Sequence, residues 1–269
     1  MNEANITDLG TLLYEARGNV AVITLNRPTR MNTLGATMKP DLAKAFFELA
    51  RNDDNVRSIL ITGSGDQAFC AGADIKERAA TEISSTDFFV KQKATHELFR
   101  NIEEFEKPVI AAINGVALGG GLEIALCCDI RIASNTARFG LPEIKLGVLP
   151  AAGGTQRLPR LIGEARAKEL ILTADLIDAE TALRFGIVSR LFDSEHLMSK
   201  ALELAQRIAD HPPLAVRFAK RAINRGMQTD LDSGLEYERY AAAMIIDSED
   251  RKEGMRAFVE KRKPVFKGK

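Results

Sequence analysis

The strongest constraint in this chain is that strand-length apolar runs take turns with helix-length amphipathic ones. LLYEARGNVAVITLN (12–26) gives two β-rich runs joined around Gly18-Asn19, a hairpin signal. Pro28 ends the second strand, and TMKPDLAKAFFELARND (37–53) follows with Leu42, Ala45, Phe46 and Leu49 at helical spacing. VRSILITG (56–63) reads as a buried strand closing in turn chemistry, before a polar loop and a long helical segment reaching about Glu106. PVIAAINGVA (108–117) predicts a third apolar strand, GLEIALCCD begins a helix, and DIRIAS (129–134) returns to strand. This alternation predicts an α/β fold with largely parallel pairing. The unit of strand, strand and helix recurs at uneven length, so it is not a strict repeat. Beyond about residue 196 the strands stop, and four amphipathic stretches punctuated by Pro212-Pro213 and Gly226 predict successive helices. The expected organisation is an α/β core over 1–195 and a helical region over 196–269 whose apolar faces suit packing on another subunit.

Composition narrows the classes of function. The 269 residues are 45% hydrophobic and 28% charged, an ordinary globular balance. Lys and Arg number 37, as do Asp and Glu, so no net charge draws the whole chain to nucleic acid or a membrane surface. No apolar run approaches the roughly 18 residues of a membrane span. The opening MNEANITDLG has neither a basic start nor an apolar stretch, and it lacks the Arg-rich character of a transit peptide. Cys70, Cys127 and Cys128 do not form a disulfide framework, and the adjacent pair lies within an apolar run. A soluble chain in a reducing cytoplasm is the expectation. His96, His196 and His211 are too scattered for metal-ligand spacing.

Two loops carry the chemistry. FCAGADIKE (69–77) sets Ala71, Gly72 and Ala73 before a helical stretch, and NGVALGGGLE (114–123) sets three glycines between a strand and a helix. Small residues let a ligand approach the backbone, and amides at a helix start are unpaired donors. Facing each other, the loops would form an oxyanion hole; apart, they are tight strand-to-helix turns, and the pattern leaves both accounts open. Glu123 falls in the first turn after the glycines, and Glu143 follows Pro142. Two carboxylates in different environments can divide acid and base work. Helix-dipole and helix-start preferences also explain each one singly. Gly63-Ser64-Gly65 with Ala68 mimics a dinucleotide fingerprint, but no clean helix follows it.

AGADIKE (71–77), NGVALGGGLEIALCCDIRIAS (114–134) and FGLPEIKLGVLPAAGGTQRLPRLIG (139–163) together resemble the crotonase superfamily, the enoyl-CoA hydratase/isomerase family. RPTRMNTL (27–34) and FVEKRKPVF (258–266) extend the resemblance to nearly the whole chain, in family order. It implies a spiral of β-β-α turns with a C-terminal helical region that forms trimers, often paired into hexamers. It also implies an acyl-CoA substrate, with no metal or redox cofactor because the coenzyme A is part of that substrate.

By this resemblance, the N–H groups of Ala73 and Gly120 hold the thioester carbonyl. Glu123 and Glu143 match the two carboxylates of family hydratases, and the N–H of Ala151 helps to hold the water. Arg27, Ala71 and Lys76 are implied to contact coenzyme A, and Phe258 and Lys261 to reach that of a neighbouring subunit. Leu141 stands where many hydratases have glutamine, which implies a more apolar acyl pocket. The implied reaction is reversible hydration of trans-2-enoyl-CoA to 3-hydroxyacyl-CoA. Isomerisation or a specialised dehydration is the alternative within the family. A non-catalytic, RNA-binding relative is the rival from another class. Its one support is the basic end with Arg256, Lys261, Arg262, Lys263, Lys267 and Lys269, which a solvated helix face explains more simply.

Overall fold

The computed structural model describes residues 6–269. In chain order it contains β1 (Ile6–Asp8), β2 (Leu12–Arg17), β3 (Val20–Leu25), α1 (Met38–Lys44), β4 (Ser58–Gly63), β5 (Ala68–Cys70), α2 (Ile75–Ala79) and α3 (Ser85–Glu103). There follow β6 (Val109–Ile113), β7 (Val116–Leu118), α4 (Gly120–Leu126), β8 (Ile130–Ser134), β9 (Arg138–Gly140), α5 (Gly154–Ile162), α6 (Glu164–Thr173) and β10 (Ile177–Asp178). The chain ends with α7 (Ala179–Phe185), β11 (Arg190–Phe192), α8 (Ser194–Ala209), α9 (Pro213–Gly226), α10 (Leu231–Ile245) and α11 (Glu249–Glu260).

Two sheets organise these elements. The larger runs β1-β2-β3-β4-β6-β8-β11 and the smaller β10-β9-β7-β5. The β1, β2 and β3 pairings are antiparallel, and from β3 to β11 the large sheet is parallel, as the strand–helix alternation predicts. Successive side chains of a strand point to opposite faces, and here both faces are buried. Ala21, Ile23, Ile59, Ile61, Val109 and Ala111 face a core shared with Leu42, Phe46, Phe99 and Ile102. Their neighbours Val20, Val22, Leu60, Ile110 and Ala112 pack against Leu197, Ala201, Leu204 and Ala205 of α8. Thus α8, the first helix of the expected C-terminal region, is also a layer of the core.

The run 108–117 is not one strand. It divides into β6 in the large sheet and β7 in the small one. At the break, Asn114 donates to the Gly65 carbonyl at 2.8 Å and accepts from the Gly63 amide at 3.1 Å. Gly115 lies so close to the Gln67 carbonyl that a Cβ would sit 2.3 Å from its oxygen. Changing sheets here carries the next turn, and the glycines after it, to the ends of β5 and β7. The long segment before β6 likewise divides into α2 and α3, and residues 45–50 continue α1 as a π-helical turn.

Candidate active site

The ends of the parallel strands β5 and β7 deliver both small-residue loops to one cavity of about 240 Å³. Its lining includes Ala71, Gly72, Ala73, Gly119, Gly120, Glu123, Glu143 and Ala151. A Cβ on Gly72 would lie 3.2 Å from the Gly120 nitrogen, and one on Gly120 would lie 3.9 Å from that of Ala73. The loops therefore face each other, and glycine is what permits the approach. Among the described residues neither the Ala73 nor the Gly120 N–H finds an acceptor. Asn32, fully buried, fixes the first loop from below by donating to the carbonyls of Ser64 and Ala68.

Glu123 is only 3% exposed. Its Oε1 accepts from the backbone N–H groups of Ala152 (2.7 Å) and Gly154 (2.8 Å). Burial raises its pKa, and these two donors together with Arg157 offset part of the rise. Glu143 sits in a 3₁₀ turn begun by Pro142, and its buried Oε2 has no partner. Desolvation, with a further push from Glu123's charge, raises the Glu143 pKa to about 7. Gly119, at φ 51°, allows this carboxyl to close on the backbone, since a Cβ there would meet Glu143 Oε1 at 2.8 Å.

The turn that holds Glu123 is itself held from behind. Gln92 donates to the Ala151 carbonyl at 2.6 Å, and His96 Nε2 reaches the same oxygen. A carbonyl only accepts, so Nε2 carries the proton in this contact. Arg157 donates to the Ala152 carbonyl at 3.2 Å, and two of its N–H groups converge on Glu103 Oε2 at 3.0 and 2.7 Å. None of Gln92, His96, Glu103 and Arg157 is marked by a local motif. Gln92 and His96 lie 59 and 55 residues from Ala151, and Glu103 lies 54 from Arg157, beyond the reach of periodicity.

The other residues singled out from the sequence fall in different places. Ala151 lines the cavity, but the amides on Glu123 belong to Ala152 and Gly154. Leu141 is fully buried behind the wall, its Cδ1 2.9 Å from where a Cβ on Gly154 would lie. The walls are instead apolar through Leu34, Ile75, Phe99, Leu146, Val148 and Leu149. Arg27 is engaged by Asp74 at 3.1 Å, Glu77 at 2.8 Å and the Thr33 carbonyl at 3.0 Å. Lys76 is exposed on α2, outside the lining. Phe258 is 85% exposed, and Lys261 caps α11 in a left-handed conformation, both away from this cavity. Among the described residues no group of three metal-ligating side chains gathers, and no helix is long and apolar enough to cross a membrane.

An α/β scaffold thus turns two unpartnered amides and two carboxyl groups into one small cavity, an arrangement able to polarise a carbonyl and to exchange protons beside it. Comparison gives the family. The enoyl-CoA hydratase/isomerase profile matches residues 15–269. A short-chain-enoyl-CoA hydratase of Clostridium acetobutylicum is 46% identical over 257 residues, covering 95% of this chain and 97% of that protein. A crotonyl-CoA hydratase of Syntrophomonas wolfei is 45% identical over 256 residues, with 95% and 97% covered. The crystal structure of an enoyl-CoA hydratase from Bacillus anthracis superposes with a TM-score of 0.92 at 43% identity, covering 96% of this chain and all of that one. The chain belongs to the enoyl-CoA hydratase/isomerase, or crotonase, family.

Proposed function

We propose that this chain is an enoyl-CoA hydratase that adds water reversibly to a trans-2-enoyl-CoA to give the 3-hydroxyacyl-CoA. The observation that carries the reading is that Glu123 and Glu143 line the same cavity as the free amides of Ala73 and Gly120. The thioester oxygen accepts from those two amides, which draws electrons from the double bond and makes C3 electrophilic. Glu123 takes one proton from water as its oxygen bonds to C3. The electron pair of the double bond passes to the enolate held at the amides. Glu143, whose raised pKa keeps it protonated near neutrality, then gives a proton to C2. One proton is gained by Glu123 and one lost by Glu143; once the proton on Glu123 is returned to Glu143, directly or through solvent, the sum is a single water added. The N–H of Ala151, beside the Glu123 turn, orients the water.

In this reading coenzyme A lies outside the small cavity, with Ala71 at its thioester end and Lys76 at its phosphates. Arg27 then acts by fixing the 71–77 loop through Asp74 rather than by meeting the nucleotide. The assembly is a trimer or a pair of trimers, in which Phe258 and Lys261 reach a neighbour's coenzyme A. The exposed Met227, Leu231, Tyr240, Met244 and Val259 on or beside α9–α11 support such packing. A cytoplasmic location accords with three free, buried cysteines. The test is loss of the enoyl-thioester ultraviolet absorbance with crotonyl-CoA. Rapid loss that fails in Glu123→Gln and in Glu143→Gln supports hydration. A folded, CoA-binding protein that leaves crotonyl-CoA intact but consumes a 3-enoyl-CoA would instead be an isomerase.

A further inference from the structure

The two amides that grip Glu123 are backed in different ways. The Gly154 N–H belongs to the peptide whose carbonyl, that of Gly153, accepts from the amides of Gln156 (3.0 Å) and Arg157 (2.8 Å) in the first turn of α5. The helix itself sets that donor. The Ala152 N–H belongs to the peptide whose carbonyl is that of Ala151, and among the described residues no backbone N–H reaches this oxygen. It accepts instead from two side chains of α3, the Gln92 amide at 2.6 Å and His96 Nε2.

Gln92 and His96, the Ala151 carbonyl, the Ala152 N–H and Glu123 Oε1 thus form one line of donors and acceptors across a single peptide unit. A carbonyl has two lone pairs, and two donors engage them here. Donation to the oxygen draws electrons from the amide and makes its N–H a stronger donor, because hydrogen bonds in series polarise one another. It also fixes the plane of the peptide and the direction of the N–H. Gln92 is half-buried and His96 exposed, so neither builds the core, and among the described residues these are the only side-chain hydrogen bonds that either makes. Gln92 lines the active cavity, whereas His96 lines a separate hollow with Gly153 and Arg157. Burial raises the Glu123 pKa, and the donors from Ala152 and Gly154 work against that rise.

Resting on the hydration reading above, we propose that Gln92 and His96 are positioning residues for the reaction, which act through the Ala151–Ala152 peptide to aim an N–H at Glu123 Oε1 and favour the ionised carboxylate. Both amides meet Oε1, so Oε2 is the oxygen that takes the proton from water. Other charges stand near this linkage. Arg100, Glu103, Glu104, Arg157, Arg160 and Arg225 share the hollow with His96. Lys39, Arg78 and Glu143 share the cavity with Glu123. All of them are unchanged in the variants below, so a comparison among those variants isolates the two donors.

Infrared difference spectroscopy against pH follows the Glu123 carboxyl in the resting protein, its band identified by loss in Glu123→Gln. In Gln92→Leu and in His96→Leu the titration should move up by about half a pH unit, and in the double variant by about one. His96→Gln keeps an N–H at similar reach and should stay within about 0.2 unit of the wild type. Crotonyl-CoA hydration should lose about tenfold in kcat in each leucine variant, with KM moved less than about twofold, and most of the loss should be recovered in His96→Gln. An unmoved Glu123 titration in the double variant would overturn the proposal, whatever its melting temperature, as would a moved titration with unchanged kcat. An equal shift in His96→Gln and His96→Leu would also overturn it, by tracing the effect to the ring rather than to its donor. A wild type that hydrates no enoyl-CoA sinks the reaction alone, because the infrared titration still decides whether the two side chains act on Glu123.

Discussion

The two walls that present the glutamates are built in opposite ways. Glu123 stands on a buried helix, its carboxylate gripped by two amides of a turn that Gln92, His96 and Arg157 hold from behind. Glu143 stands on a short 3₁₀ turn that ends at exposed Leu146 and is followed by exposed Val148 and Leu149, and one of its oxygens is buried with nothing to accept from. Both pKa values are raised by burial. Glu123 is partly compensated by two amides of a separate turn and by Arg157. Glu143 has its own backbone N–H and Arg78's charge against the rise, and the charge of Glu123 pushing it further up. In the proposed reaction the same residue type then serves as a fixed base on one wall and a proton carrier on the other.

The largest effect should come from erasing the contrast. Glu123→Gln and Glu143→Gln keep the shape of each side chain and should each lower kcat for crotonyl-CoA hydration by roughly 10³-fold, within the span expected of acid–base groups. Stopped-flow absorbance on folded variants measures this, and a drop of less than tenfold in either would break the division of labour. Next is Gly119→Ala. A Cβ there needs φ 51° and meets Glu143 Oε1 at 2.8 Å, so the acid must move. A displacement of about an ångström costs on the order of 10²-fold in kcat. The fold should survive, as circular dichroism would show.

The pH dependence sharpens the same comparison. Glu143 is needed protonated, so kcat should fall as pH rises through about 7. Glu123 is needed ionised, so kcat should fall as pH drops through its own raised pKa. Each limb loses about tenfold per pH unit beyond its pKa. In Glu123→Gln the repulsion on Glu143 disappears, so any residual activity should show its alkaline limb shifted to lower pH.

The smallest change is Arg157→Met, which removes the donor to Ala152 and a positive charge near Glu123. It should lower kcat about fivefold to tenfold, with KM moved less. It should also shift the acid limb upward, because Arg157 favours the ionised Glu123. Arg157→Lys should restore part of both. A loss of stability with an unmoved acid limb would make Arg157 merely structural.

What the sequence shows of this design follows the range of the interactions. The hairpin around Gly18-Asn19, the helical face of Leu42 and Phe46, and the strand at 56–63 are local patterns, and the structure contains all of them. The facing of the two small-residue loops depends on β5 and β7 pairing in a second sheet. That sheet exists because Asn114-Gly115 breaks what the apolar run suggests is a single strand. The family resemblance compensates for this gap, since AGAD and GGGLE are distinctive together. Arg27 carries a charge and an expected ligand contact, yet Asp74 and Glu77 occupy it, because those acids lie 47 and 50 residues away where spacing rules say nothing. Leu141 is apolar as expected but turned behind Gly154, an orientation that only the path of the 150–154 turn decides.

The division between the walls is tested most directly by separating α-proton transfer from attack by water. Butyryl-CoA cannot be hydrated, but its α-hydrogens can exchange with deuterium oxide, followed by mass spectrometry. Glu123→Gln should retain exchange while losing crotonyl-CoA hydration, and Glu143→Gln should lose both. Exchange that persists in Glu143→Gln and vanishes in Glu123→Gln would contradict the account and reverse the two roles.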